Sequence, residues 1–342
     1  MGESIQNMYI PSVSDAVKKI IVYYNSGNYE GLRTVKEYLS SENESKFIAG
    51  DADRFHNATV SLTRVGFFDY AYALAEVGQN RYPKNTDLLG DLLCYGLQCR
   101  SLGELEKWYS KLQAINKRFW TWRAYQFSFD YWMARLPEAE NDQQLKEWEE
   151  TVSQIITSFK NNFKYLKDQS DCEKAFMMDY EFRASQGEND AAIAALIEAT
   201  TNERTKNKCP QCALKLADHF FASGDYATSL KYADKAVSIK EDQPSISLGY
   251  THYIRAMSTE YVERESGGWK QNISKIYNAY AAAIIHLKDE SDRQRLIDSV
   301  RKQVEMLERE SGIESNIDFK KSEDMDSVLR TLLSKRNSSD DE

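Results

Sequence analysis

The chain has 342 residues, with 44 Lys and Arg against 53 Asp and Glu, for a net charge of −9. That acidic balance argues against nucleic acid as a partner, because phosphate backbones are held by a surplus of cations. Five scattered cysteines suit a reducing compartment better than a disulfide framework, and five prolines, 15 glycines and no strongly alternating β-branched runs point to an all-α fold.

In chain order, the first twenty residues lack a charged start followed by an apolar block. No apolar run reaches membrane-spanning length. The expectation is a cytoplasmic protein without membrane contact. Met1-Gly2 opens like an acylation site, but Gln6 stands where Ser or Thr is required.

From residue 12 a phrase recurs: a glycine, one residue, then an aromatic or leucine, with small or apolar residues five, nine and twelve places on. It occurs at Gly27, Gly66, Gly103, Gly187 and Gly224, at intervals of 39, 37, 84 and 37 residues. The 84-residue gap accommodates one further copy with a blurred turn. A period of this size marks a stacked-repeat protein. Around Gly224, Ala213, Leu216, Ala217 and Phe220 recur at helical spacing before the turn, as do Ser229, Leu230, Ala233 and Ala236 after it. Each copy is therefore a helix pair with the glycine ending the first helix, and a pair this small must bury its apolar face on the next.

Between Trp108 and Trp132 lies a dense aromatic belt that includes Trp120, Trp122, Tyr125, Phe127 and Phe129, interleaved with Lys117, Arg118 and Arg123. Either this helix is central to the array or part of it is an exposed contact surface, where the cations would receive an acidic segment. Further along, Cys209-Pro210-Gln211-Cys212 sits at a helix start, a setting that lowers thiol pKa, but no βαβ pattern surrounds it, so two small residues at a helix junction are expected in place of a redox pair. His56, His219, His252 and His286 are each isolated, and no metal or cofactor is expected. No nucleophile elbow or phosphate-gripping loop occurs, so the chain is read as non-catalytic. The Gly267-Gly268 stretch between Glu263 and Trp269 is an irregular, mobile spot.

Residues 291–312 open with a capping box, Ser291 to Gln294, and place Leu296, Val300, Val304 and Leu307 on one face, as a terminal capping helix would. Residues 313–342 contain a linker, a short amphipathic helix carrying Met325, Leu329 and Leu332, and an acidic tail. That helix is a second candidate contact, with its own array, another copy or a partner.

Leu216, Ala217, Gly224, Tyr226 and Ala236, with Phe68, Ala71 and Pro83 in an earlier copy, resemble the tetratricopeptide repeat family, with a period longer than the family's usual 34 residues. Gly78 stands where that family has Ala. The resemblance covers residues 12–290 and implies a right-handed α-solenoid of antiparallel helix pairs, with first helices lining a concave groove that receives a protein or peptide. Taking each glycine as the turn aims Val17, Ile21 and Tyr24 into that groove, then His56, Val60, Thr63 and Arg64, then Leu93, Leu97 and Arg100, and later Gln126, Asp130, Met133, Glu181 and Asp218. Arg123 joins them from the aromatic belt. The expected function is a non-catalytic adaptor or scaffold. The alternatives are a regulatory subunit whose curvature responds to a small ligand or peptide, and, from the single Asn116, Trp120 and Arg123 spacing, a helper subunit like the prenyltransferase α-chain. Self-association or membership of a larger complex stays open.

Overall fold

A computed structural model describes residues 8–166, 168–239, 248–286, 290–315 and 317. Among them the chain is all-helical, with one isolated bridge between Ser12 and Ala49. No helix among the described residues is long and apolar enough to cross a membrane. The chain forms two compact units, Met1–Gln186 and Gly187–Glu342.

The first unit holds α1 (Val13–Asn25), α2 (Tyr29–Ser40), the single turn α3 (Glu42–Ser45), α4 (Ala52–Arg64), α5 (Phe68–Arg81), α6 (Thr86–Gly96), α7 (Leu102–Gln113), α8 (Trp122–Arg135), α9 (Asp142–Asn162) and α10 (Cys172–Ser185). Consecutive helices pair as α1 with α2, α4 with α5, α6 with α7 and α8 with α9. The first helices also pack on one another in the order α1, α4, α6, α8, α10. The α8 and α9 pair is the copy expected between Gly103 and Gly187; its turn has no glycine, only a 3-10 segment at Leu136–Glu138.

Turn chemistry explains most of the pairing. At Gly66 the φ of +83° lets the Gly66 N–H reach the Thr63 carbonyl at 3.0 Å and the Phe67 N–H reach that of Leu62 at 2.9 Å, closing the last turn of α4. Gly27 and Gly224 end their helices the same way.

Gly103 departs from the expectation. It lies inside the first turn of α7, whose start is closed by Ser101, with its N–H and hydroxyl both donating to the Glu104 carboxylate at 3.0 and 2.7 Å. The first helix of that copy thus ends at Gly96, seven residues before Gly103, whereas α4 ends at Arg64, two residues before Gly66. A five-residue offset rotates the outward face by about 140° on a helix. Leu93, expected in the groove, is accordingly buried in the core.

Two clusters fill this unit. The first gathers Ile20, Val35, Leu39, Phe55 and Leu74. Phe55 explains the glycine at 78: a Cβ there would lie 2.9 Å from the Phe55 ring. The second takes in most of the aromatic belt, with Trp108, Trp120, Tyr125, Phe127, Phe129 and Tyr131 buried and Tyr125 stacked on Phe159 at 4.4 Å. Most of the belt is therefore core.

The second unit holds α11 (Asn189–Thr201), α12 (Pro210–Ala222), α13 (Tyr226–Ile239), α14 (Leu248–Glu265), α15 (Ile273–His286) and α16 (Glu290–Ser311). Gly267, with φ +73°, ends α14 and makes the supposed irregular spot the turn of another helix pair. That turn is held by Asn272 and Lys275, which both donate to Glu263 at 2.6 Å. The buried Glu260 carboxylate on α14 accepts from the Tyr280 hydroxyl on α15 at 2.8 Å, from Gln303 on α16 at 2.8 Å and from Arg264 at 2.8 Å. Val300, Val304 and Leu307 of α16 complete this core. Of the capping box, the side chains of Ser291, Asp292 and Arg293 lie outside the described residues, as do the tail residues Met325, Leu329 and Leu332, while Gln294 donates to Asp298 at 3.0 Å.

The histidine reading needs one correction. His252 of α14 and His286 of α15 are not isolated, because their rings stack with centroids 4.6 Å apart. His252 is buried, with no hydrogen-bond partner for Nδ1 among the described residues. Burial, and then the facing imidazole, lower its pKa to about 4.

Candidate interaction surface

Three successive first helices of the first unit, α4, α6 and α8, build the site. Asp51 caps α4 by accepting the Arg54 N–H at 2.8 Å, and Asn85 caps α6 by accepting that of Leu88 at 2.9 Å. Between α6 and α8 the backbones approach closely at Gly90, where a Cβ would lie 3.0 Å from the Arg123 Cβ and 3.3 Å from the Ala124 nitrogen. That approach brings the Arg123 side chain against α6.

At the centre is Asp91, fully buried on α6. Its Oδ2 lies 2.5 Å from His56 Nδ1 on α4, and its Oδ1 accepts from the Arg123 guanidinium on α8. Thr59 adds a hydroxyl contact at 3.3 Å. One carboxylate thus ties three helices. The hydrogen bond to Asp91 raises the His56 pKa above the usual imidazole value, while burial and Arg123 oppose it.

Beside this cluster opens a cleft of about 440 Å³. One part of its lining comes from the amino-terminal halves of α4 and α6, with Asp53, His56 and Asp87. The rest comes from residues 118–123 and from Tyr165, Leu166, Asp168 and Asp171. Phe119 and Tyr165 line it while 56% and 52% exposed. Lys174 approaches the Trp122 ring to 3.2 Å and pairs with Asp171 at 2.5 Å.

The expected groove residues divide. His56 and Arg123 meet here through Asp91. Gln126 and Asp130, further along α8, pair at 2.9 Å. Burial pushes the Asp130 pKa up to about 6, with the Glu181 carboxylate adding to the rise and Gln126 opposing it. Arg100 is engaged elsewhere, donating to Asp69 at 2.7 Å and lying 4.6 Å over the Tyr72 ring. Tyr24 is exposed, with its ring edge on Phe67 at 4.9 Å. Arg64 and Glu181 are exposed, and Leu97 is half-buried. None of Tyr24, Arg64, Leu97 or Arg100 lines the cleft. Asp218, in the second unit, accepts from the Tyr250 hydroxyl at 3.1 Å.

Asp91, Asp53, Asp87 and Tyr165 escaped sequence reasoning. Asp91 carried a signal: it is the one acid inside Leu88-Leu89-Gly90-Asp91-Leu92-Leu93, and an acid amid such a run calls for a buried partner. Asp53 and Asp87 fall in first helical turns, where acids are favoured by the helix dipole regardless of any ligand. All five cysteines are free thiols, and Cys209 and Cys212 are both buried.

No family model matches the chain. No curated protein matches it. Among solved structures it is similar to a thermophilic TPR protein of Thermus thermophilus, at 19% identity and a TM-score of 0.40, over 62% of this chain and 98% of that one.

Proposed function

We propose that the protein is a non-catalytic helical-repeat adaptor and that the cleft lined by α4, α6 and α8 receives a segment of a protein partner. The observation that supports this reading is the exposure of Phe119 and Tyr165 beside the charged groups of the cleft. Large aromatic side chains ringed by polar groups are the usual anchors of protein contacts. Most other aromatics of the belt are occupied in the core, which makes the exposed Phe119 informative, and Tyr165 joins it from beyond the belt.

The test is affinity capture from the native cell with the unaltered chain and with a Phe119→Ala/Tyr165→Ala variant. The expected result is a partner whose yield falls about tenfold or more in the variant, as loss of two aromatic anchors implies, with melting unchanged. Equal yield from both chains would remove the cleft as the contact. The expectation that Arg64 and Arg100 face the partner suggests charge reversal there as well, but Arg100→Glu would break the Asp69 pair and is a packing test as much as a binding one.

A further inference from the structure

We infer that the occupant of this cleft is a basic segment: a Lys or Arg side chain whose apolar stem lies on Phe119 and Tyr165 and whose charged end meets Asp53 and Asp87. The inference rests on the cleft being a protein contact and specifies the chemistry of what enters it.

A count of charges along the sequence favours the opposite partner, since the belt is rich in cations. The folded chain reverses that balance. Arg123 is tied to the buried Asp91, and Lys174 to Asp171. Among the described residues, Arg118 is the lining cation with no carboxylate partner, and its guanidinium rests 4.6 Å over the Phe119 ring. By contrast, neither Asp53 nor Asp87 forms an ion pair among the described residues, although Asp87 acts electrostatically on His56; Asp168, the further lining acid, already accepts the Ser170 N–H at 2.8 Å. The lining therefore offers acids to a ligand after its internal pairs are made.

The aromatics suit the same ligand. Arg118 over Phe119 and Lys164, 4.9 Å over Tyr165, already demonstrate that cations of this chain settle on these rings, yet both aromatic residues remain more than half exposed. The net charge of −9 adds long-range attraction for a basic partner.

The experiment measures fluorescence anisotropy of two labelled probes, hexa-arginine and hexa-glutamate, against the full chain at two salt concentrations. Hexa-arginine is expected to bind, more weakly at higher salt. An Asp53→Asn/Asp87→Asn variant with unchanged melting should lose about tenfold in affinity, in line with two partly screened charge pairs. Phe119→Ala/Tyr165→Ala should also weaken it. Equal binding by the Asp53→Asn/Asp87→Asn variant would mean non-specific attraction to an acidic chain and would overturn the inference. Preferential binding of hexa-glutamate, lost on removing the two aromatics, would overturn the basic occupant while leaving the cleft as a contact. Loss of neither probe on removing the aromatics would overturn both.

Discussion

His56 in the first unit and His252 in the second both sit on the first helix of a pair, yet their surroundings drive their charge in opposite directions. His56 faces a buried carboxylate, so protonation gains a partner. His252 faces the ring of His286 and has no partner for Nδ1 among the described residues, so protonation would place a cation against a neighbouring imidazole in a buried position. The lesson is that helix position does not set a side chain's electrostatic role; the group opposite it does. Linkage makes the contrast measurable. A raised folded pKa gives His56 a stabilising contribution that is fully present below about pH 6.5 and fades as pH rises through the elevated value. A folded pKa of about 4 gives His252 a contribution present above about pH 6.5 and lost as pH falls toward 4.

The strongest way to break the comparison is to remove the carboxylate that distinguishes the two sites. Asp91→Ala leaves the Arg123 guanidinium largely buried without its partner and frees His56, with an expected loss of about 3–5 kcal/mol, read by calorimetry of the whole chain. A loss below about 1 kcal/mol would mean that Asp91 is not the common tie of α4, α6 and α8.

A smaller effect should come from the second site. His252→Phe keeps a ring against His286 and deletes the titration, so at pH 4.5 it should stabilise the chain by about 2 kcal/mol, with no titration-linked difference at pH 8. The same gain at both pH values would point to packing instead of charge.

The smallest sharpens the first site from within. Asp130→Asn retains an acceptor for Gln126 and removes a carboxylate whose pKa stands near 6. A raised acid pKa favours the protonated fold, so stability is lost as pH rises through 6. The variant should therefore gain about 1 kcal/mol at pH 8 and nothing at pH 3.5. A flat difference across that range would detach Asp130 from the electrostatics of α8.

Repeat phrasing exposed most of the helix pairs because the relevant information is local. Gly27, Gly66, Gly187 and Gly224 all adopt the left-handed φ that ends a first helix, as expected. Gly103 failed because Ser101 and Glu104 close that helix start by a different device, and the error moved the expected surface to Leu93. The site was legible only in part: His56 and Arg123 were named, but their common partner was not, and two of the arginines expected to face a ligand, Arg100 and Arg123, turned out to serve Asp69 and Asp91.

What the sequence determined by itself was the all-helical architecture, the pairing of helices and the approximate period, since apolar spacing and turn residues act within a few positions of one another. What only the tertiary structure decided was which charges remain for a partner. Ion pairs between α4, α6 and α8 join residues far apart in the chain, and each residue of register turns a side chain by about 100°, so a single displaced turn reassigns every contact across the seam.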